Sequence, residues 1–284
     1  PTALRVAGSA PGEDRRRHES HIAVALYEEQ ILSTQRQIGE FKQKEEQSTD
    51  SQEKLNAFIQ REIAVKTFAT VKVELLEHQA FIDIHQALQR FAAWFDEAVN
   101  DRRARGRFVE VIKRHTNDSS LSQDEQFLFA IRETQSIYDE DRFAQAIIQC
   151  QELLTRNALT PGQIIQPLLL LGNARVRQGQ IIESLPDFDE AIRLSQAHSL
   201  TGWEIKATSG RGWASRVMGD LETATKFYQN AQSLCLATGD LGEDYGWLLN
   251  NLAFAVAYRD RRRAIDYADQ ARAHWEELKL LDKA

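Results

Sequence analysis

Five side chains able to hold a metal ion, Glu74, Glu77, His78, Asp83 and His85, fall within one short stretch of the sequence. A di-metal carboxylate centre in a helical bundle needs Glu-x-x-His motifs on two helices, with further glutamates facing them. The stretch contains no Glu-x-x-His, and no second segment offers the matching set. These residues therefore read as a solvated helix face, and no metal or other cofactor is expected. Gly210-Arg211-Gly212 lacks the third glycine and the preceding strand that a dinucleotide loop requires. No Gly-Lys-Ser or Gly-Lys-Thr occurs, so there is no phosphate-cradling P-loop. Seven histidines and two cysteines are scattered, with no visible set of nucleophile, base and orienting group. Two arginine-rich runs, Arg102-Arg103-Ala104-Arg105-Gly106-Arg107 and Arg261-Arg262-Arg263, read as a helix end and a turn. Cations are favourable at helix C-termini in their own right. Contact with an acidic partner is the alternative reading.

The elements that would position such residues are helical. With 14 glycines and 5 prolines in 284 residues, the chain is short of the turn residues a β-rich fold needs. A formal charge of −7 argues against general binding to nucleic acid or to an anionic membrane. No apolar run approaches the ~18 residues of a membrane span. Cys150 and Cys235 both fall in predicted helices and read as small buried hydrophobes in a reducing, cytoplasmic setting. Residues 1–17 lack a signal-peptide core and are expected to form a flexible tail.

From residue 18 to about 120 the sequence predicts a helical hairpin or bundle with coiled-coil character. Val24, Ile31 and Ile38 are spaced by seven, and Tyr27, Thr34 and Phe41 interleave with them. This heptad face is expected to pack on a neighbouring helix, and it is also a candidate homodimer contact. Ser51 is the expected N-cap of a second helix running to about Asn100, with a break near residues 78–80 and an alternative short strand over residues 71–75. A third helix is expected from Arg107 to His115, followed by a linker-like stretch at residues 116–120.

The remainder, residues 121–284, is organised by a repeat. Ser184, Ala224 and Ala264 stand 40 residues apart, as do Phe188, Tyr228 and Ala268, and Ala191, Ala231 and Ala271. Gly172 with Gly179 recurs as Gly212 with Gly219. A fixed period of this size marks a solenoid of paired helices. Each unit reads as helix A, a tight glycine turn and helix B. Small residues sit where helices cross closely, and Phe188 and Tyr228 fill the wedge between them. A weaker unit precedes these, with Phe143, Ala146, Cys150 and Leu153 in the helix B places. The last unit has Arg259-Asp260-Arg261 where the others have a turn glycine.

This pattern resembles the tetratricopeptide repeat family over roughly residues 126–279. The string Leu248-Leu249-Asn250-Asn251-Leu252-Ala253 looks like helix A of the kinesin-light-chain subtype, whose units are about 40 residues long. The resemblance implies an all-α fold, an N-terminal helical bundle followed by an α-solenoid of about four helix pairs. It also implies that helix A lines an inner groove. The family's pattern places Asn173, Val176, Arg177, Lys206, Ser209, Trp213, Arg216, Asn250, Phe254 and Tyr258 on that groove. There Asn can pair with a peptide's C=O and N–H, Arg and Lys with carboxylates, and Trp and Tyr can serve as apolar anchors.

Two functions follow from these readings. One is a non-enzymatic adaptor that grips a protein or peptide in the groove. The other is a sensor or regulatory part of a bacterial signalling system, akin to peptide-responsive regulators or the C-terminal sensors of signalling ATPases.

Overall fold

A computed structural model describes residues 11–98, 101–116 and 121–278 of the chain. The described residues form twelve α-helices and no strand. The chain divides into two compact units, Pro1–Ser136 and Ile137–Ala284. The division lies later in the sequence than the expected boundary at residue 120.

The first unit begins with α1 (Pro11–Gln47) and α2 (Ser51–Ile82), which pack along each other. Of the expected flexible tail, residues 11–17 are helical, and residues 1–10 lie outside the described residues. The heptad positions Val24, Tyr27, Ile31, Thr34, Ile38 and Phe41 are among the least exposed places on α1. On α2 the buried Ala57, Ala64 and Val71 stand seven apart, small enough for two backbones to approach closely. Asp50, rather than Ser51, is the N-cap of α2, because its carboxylate accepts from the N–H groups of both Gln52 (2.7 Å) and Glu53 (2.9 Å).

Residues 71–75 are helical, and the break in the long helix falls at Asp83 instead of residues 78–80. Asp83 is extended (φ −151°, ψ 100°). It ends α2 and caps α3 (Ile84–Glu97) by accepting from the N–H groups of His85 and Gln86. The arginine-rich run 102–107 opens α4 (Arg102–His115) instead of ending a helix. Arg105 is buried. It donates to the Phe95 carbonyl in the last turn of α3 (2.8 Å) and lies over the Phe95 ring, so it serves the C-terminus of the preceding helix. Val73, Leu76, Leu88, Phe91, Phe95, Phe108 and Ile112 form the core between α2, α3 and α4. Residues 117–120 of the expected linker lie outside the described residues.

The helix α5 (Gln123–Asp139) begins in the first unit and ends in the second. The second unit then contains α6 (Phe143–Leu154), α7 (Pro161–Arg177), α8 (Ile181–Ala197), α9 (Thr201–Val217), α10 (Leu221–Thr238), α11 (Glu243–Val256) and α12 (Arg261–Glu277). Each of these helices packs on the next, giving an all-α solenoid of helix pairs. In addition α7 packs on α9, and α9 on α11, while α8 and α10 do not approach one another. The helix A layer is therefore the tighter one, and the array is concave on that side.

Five of the seven turns within and between the pairs follow one rule; between α6 and α7 the left-handed residue is Ala158, and among the described residues the N–H after it makes no bond back to the helix. The chain enters the left-handed region at Asp141, Gly179, Ser199, Gly219 and Gly239. The next N–H then reaches back to the preceding helix: Arg142 to Ile137 (3.1 Å), Gln180 to Arg175 (2.8 Å), Leu200 to Ser195 (2.9 Å), Asp220 to Ser215 (3.0 Å) and Asp240 to Cys235 (3.1 Å). The turn before α12 lacks such a residue. Asp260 takes over by accepting from the Arg263 N–H (3.0 Å).

Phe188, Tyr228, Ala191, Ala231 and Ala271 are all buried, as the repeat predicts. Ser184, the departure from alanine, is buried too and donates to the Ile181 carbonyl (2.7 Å). Cys150 and Cys235 are free and buried. Burial pushes the Cys150 thiol up to about 12 and the Cys235 thiol up to about 11. Neither should react with iodoacetamide in the folded protein near pH 8, and both should react once it is denatured. Mass spectrometry of the alkylated chain checks this, and rapid native labelling of either would contradict the packing described.

Candidate partner-binding face

The side chains on α7, α9 and α11 divide sharply by whether their polar groups are already engaged. On the side facing the B helices, Arg175 meets Asp187 of α8 at 2.8 and 2.7 Å and also donates to the Glu183 carbonyl (2.9 Å). Arg211 meets Asp189 (2.9 Å) and Ser215 (2.7 Å). These arginines tie helix layers together.

Arg177 and Arg216 differ. Neither has a carboxylate partner among the described residues. Arg177 lies over the ring of Trp213, 5.5 Å from its centroid, and Arg216 lies over the ring of Phe254 at 5.6 Å. Each arginine in the last turn of one helix A thus covers an aromatic ring on the next helix A. Trp213 is half-buried and packs against the cores on both sides of α9, whereas Phe254 is 61% exposed.

The polar groups around Arg216 are incompletely satisfied. Its Nε is buried without a hydrogen-bond partner, and so is the hydroxyl of Tyr228 beside it. Burial drives that hydroxyl up to about 12, and Arg216 offsets part of the rise. Tyr138, at the end of α5, behaves in the same way. Its hydroxyl is raised by burial and drawn back by Arg177. Sequence reasoning missed Tyr138. Residues 138, 177 and 216 are 39 apart, so stepping back from Arg216 through Arg177 would have found it.

The other residues expected on this face divide as follows. Asn173 and Asn250 are half-buried and make no hydrogen bond among the described residues, so both amides are open. Ser209 is half-buried. Lys206 is exposed, 3.7 Å from Asp244 of α11 and over the ring of Trp203 at 5.6 Å. Tyr258, just past the end of α11, is 91% exposed. Val176 does not belong to the face. It is 5% exposed and packs into the core with Ile165, Phe188 and Ala214. An apolar residue one position before the helix-ending Arg177 gains more from the layer beneath than from solvent.

The first unit has a concavity of its own, a cleft of about 770 Å³ lined by Arg17, His21, Gln79, Asp83, His85 and Arg90 among others. Most of its charged groups are engaged. Arg90 pairs with Glu28, Arg17 donates to the Ile82 carbonyl (3.3 Å), and His85 pairs with Glu125 (2.6 Å). Glu125 raises the His85 pKa, and His85 in turn lowers that of Glu125. Of the other members of the acidic and histidine cluster, Glu74 is exposed, and Glu77 and His78 have structural partners. Glu77 meets Arg114 (2.8 Å) and His115 (3.1 Å), and His78 meets Ser20 (3.2 Å) and stacks on Tyr27. No group of three or more His, Cys, Asp or Glu able to hold a metal occurs among the described residues. No described helix is long and apolar enough to cross a membrane.

No protein-family model and no curated protein matches the sequence. Solved structures with a similar fold are known. The Rap conjugation gene regulator of the plasmid pLS20, in complex with the Phr* peptide, aligns over 95% of this chain and 76% of its own (TM-score 0.63, 12% identity). Aspartyl phosphate phosphatase F from Bacillus subtilis aligns over 98% and 78% (TM-score 0.60, 10% identity). A signal transduction ATPase from Pyrococcus horikoshii with a tetratricopeptide repeat sensor aligns over 93% of this chain and 44% of its own (TM-score 0.56, 15% identity). At these identities the likeness is one of fold: an all-helical, tetratricopeptide-like repeat architecture.

Proposed function

We propose that this chain is a non-enzymatic, peptide-responsive regulator that captures an extended peptide or protein segment across α7, α9 and α11. The observation that carries this reading is the pair of open amides, Asn173 and Asn250, on the concave helix A side of the array. An asparagine amide both donates and accepts, so it can grip the backbone of an extended chain whatever its side chains. The Phr* peptide in complex with the Rap conjugation gene regulator supports the same reading by analogy of fold. The 40-residue step and the string 248–253 further suggest helix pairs of the kinesin-light-chain type.

We assign the first unit the second contact. Along the α1–α2 hairpin, Leu32, Leu55, Phe58, Ile59 and Ile63 are 42–55% exposed, an apolar stripe suited to a second copy of the chain or to a downstream protein.

Replacing Asn173 and Asn250 together with alanine should weaken binding of any captured peptide by about tenfold or more, since each lost hydrogen bond to a buried backbone group costs ~1 kcal/mol. Fluorescence anisotropy with a labelled peptide, run beside a thermal melt to confirm folding, checks this. Undiminished affinity in the folded double variant would remove the groove from consideration.

A further inference from the structure

Building on the groove reading, we infer that this face selects peptides with two side-chain carboxylates three residues apart, one for Arg177 and one for Arg216. Both arginines sit in the last turn of a helix A, and the dipole there accounts for their positive sign. It does not account for their lack of acidic partners when Arg175 and Arg211, on the same two helices, have Asp187 and Asp189. The Cζ of each of these two guanidinium groups lies over an aromatic ring, 5.5 and 5.6 Å from its centroid. A cation–π contact of this kind does not use up the N–H donors, which remain available to a carboxylate. The buried Arg216 Nε has no acceptor, and the Tyr228 hydroxyl beside it interacts with no group but Arg216 itself, a second sign that an acceptor belongs beside Arg216.

The spacing follows from helix packing. Neighbouring helices lie about 8–10 Å apart, and α7 and α9 are neighbours in the inner layer. A peptide crossing them in a polyproline II conformation rises about 3.1 Å per residue with three residues per turn. Side chains at i and i+3 then point the same way at about 9 Å. A β-strand puts same-side residues about 7 Å apart, at i and i+2, which fits less well. The exposed Phe254 and half-buried Trp213 flank the two guanidinia and favour apolar residues between the acidic ones.

The test is a panel of end-capped, fluorescein-labelled octapeptides with one apolar background. One carries glutamates at i and i+3, and one carries them at i and i+2. One has both replaced by glutamine, one has both replaced by lysine, and one is the glutamine peptide with a free C-terminal carboxylate. The i,i+3 glutamate peptide should bind at least tenfold tighter than every other member. That advantage should shrink as salt is raised and disappear in the Arg177→Gln, Arg216→Gln double variant. The wild-type panel decides the matter even if that variant fails to fold. Equal binding of the glutamine peptide, or tighter binding of the lysine or i,i+2 peptide, in a manner that still depends on Asn173 and Asn250 would overturn this inference and leave the groove reading intact. Preference for the free C-terminus would replace side-chain carboxylates with a chain end and overturn it equally. Failure of every peptide to bind would overturn both.

Discussion

Truncating Phe188 to alanine should destabilise the second unit by about 3–5 kcal/mol, the range for removing a fully enclosed aromatic ring. The ring belongs to α8 and is completely buried. It lies against Gly172 of α7 on one side and Gly210 of α9 on the other. A Cβ at Gly172 would come within 2.8 Å of it, and one at Gly210 closer still. The two glycines and the small residues Ala191, Ala207 and Ala214 of the same cluster have no side chain that could reach into the void, so much of it would stay open. A shift in the urea midpoint at unchanged m-value is the measurement. A loss below about 1 kcal/mol would mean the ring is not the wedge described. The reciprocal change, Gly210→Ala, should also destabilise, though less. Overpacking costs about 1–3 kcal/mol, and alanine recovers close to 1 kcal/mol of helix propensity over glycine.

The second large effect is expected at the Arg175–Asp187 pair. Asp187→Ala leaves a largely buried guanidinium without its carboxylate, a loss of about 3–5 kcal/mol for pairs of this kind. The same residue should give stability an unusual pH dependence. Burial raises the Asp187 carboxyl to about 6, outweighing the pull of Arg175 in the other direction. Between its unfolded value of 3.8 and about 6, the folded protein therefore binds more protons at this site than the unfolded chain does. Its contribution is fully present below the unfolded pKa and is lost as pH rises through the folded one. Urea melts of the wild type and of Asp187→Asn near pH 4 and above pH 6 should differ in slope, with the wild type losing more stability over that interval. A wild-type stability that gains on the variant as pH rises would contradict the assignment.

Much of the second unit was legible because repetition multiplies weak signals. No single alanine at 184, 224 or 264 positions means much, yet the shared 40-residue step placed Phe188, Tyr228, Ala191, Ala231 and Gly172 correctly in the packing. The heptad of α1 was legible for the same reason. What escaped was set by interactions between helices. Gly210 entered only as part of a rejected dinucleotide loop, because nothing local marks it as a seat for Phe188. The Arg175–Asp187 pair joins residues twelve apart on two helices, a separation with no sequence signature. Arg105 and its neighbours looked like the end of a helix because cations favour C-termini, and Arg105 does serve one, but it is the C-terminus of α3 rather than of its own helix. On the binding face, a one-residue difference in helical rotation separates Val176, buried, from Arg177, exposed. Of the ten residues placed there by the family's pattern, the structure removes Val176, which packs into the core.

Phe188 has a bearing on how the array comes apart. A ring supplied by one pair and seated half on the next makes those pairs share a single melting event, so α7, α8 and α9 should exchange their amide hydrogens as one block. Loosening should instead begin at the far end, where α12 rests on a small patch formed with Leu249, Ala271 and Trp275 and has no following pair among the described residues. A peptide lying over Trp213 and Phe254 would fasten the frayed end to the firm block, and its arrival would register as slowed exchange in α11 well before any change in α8.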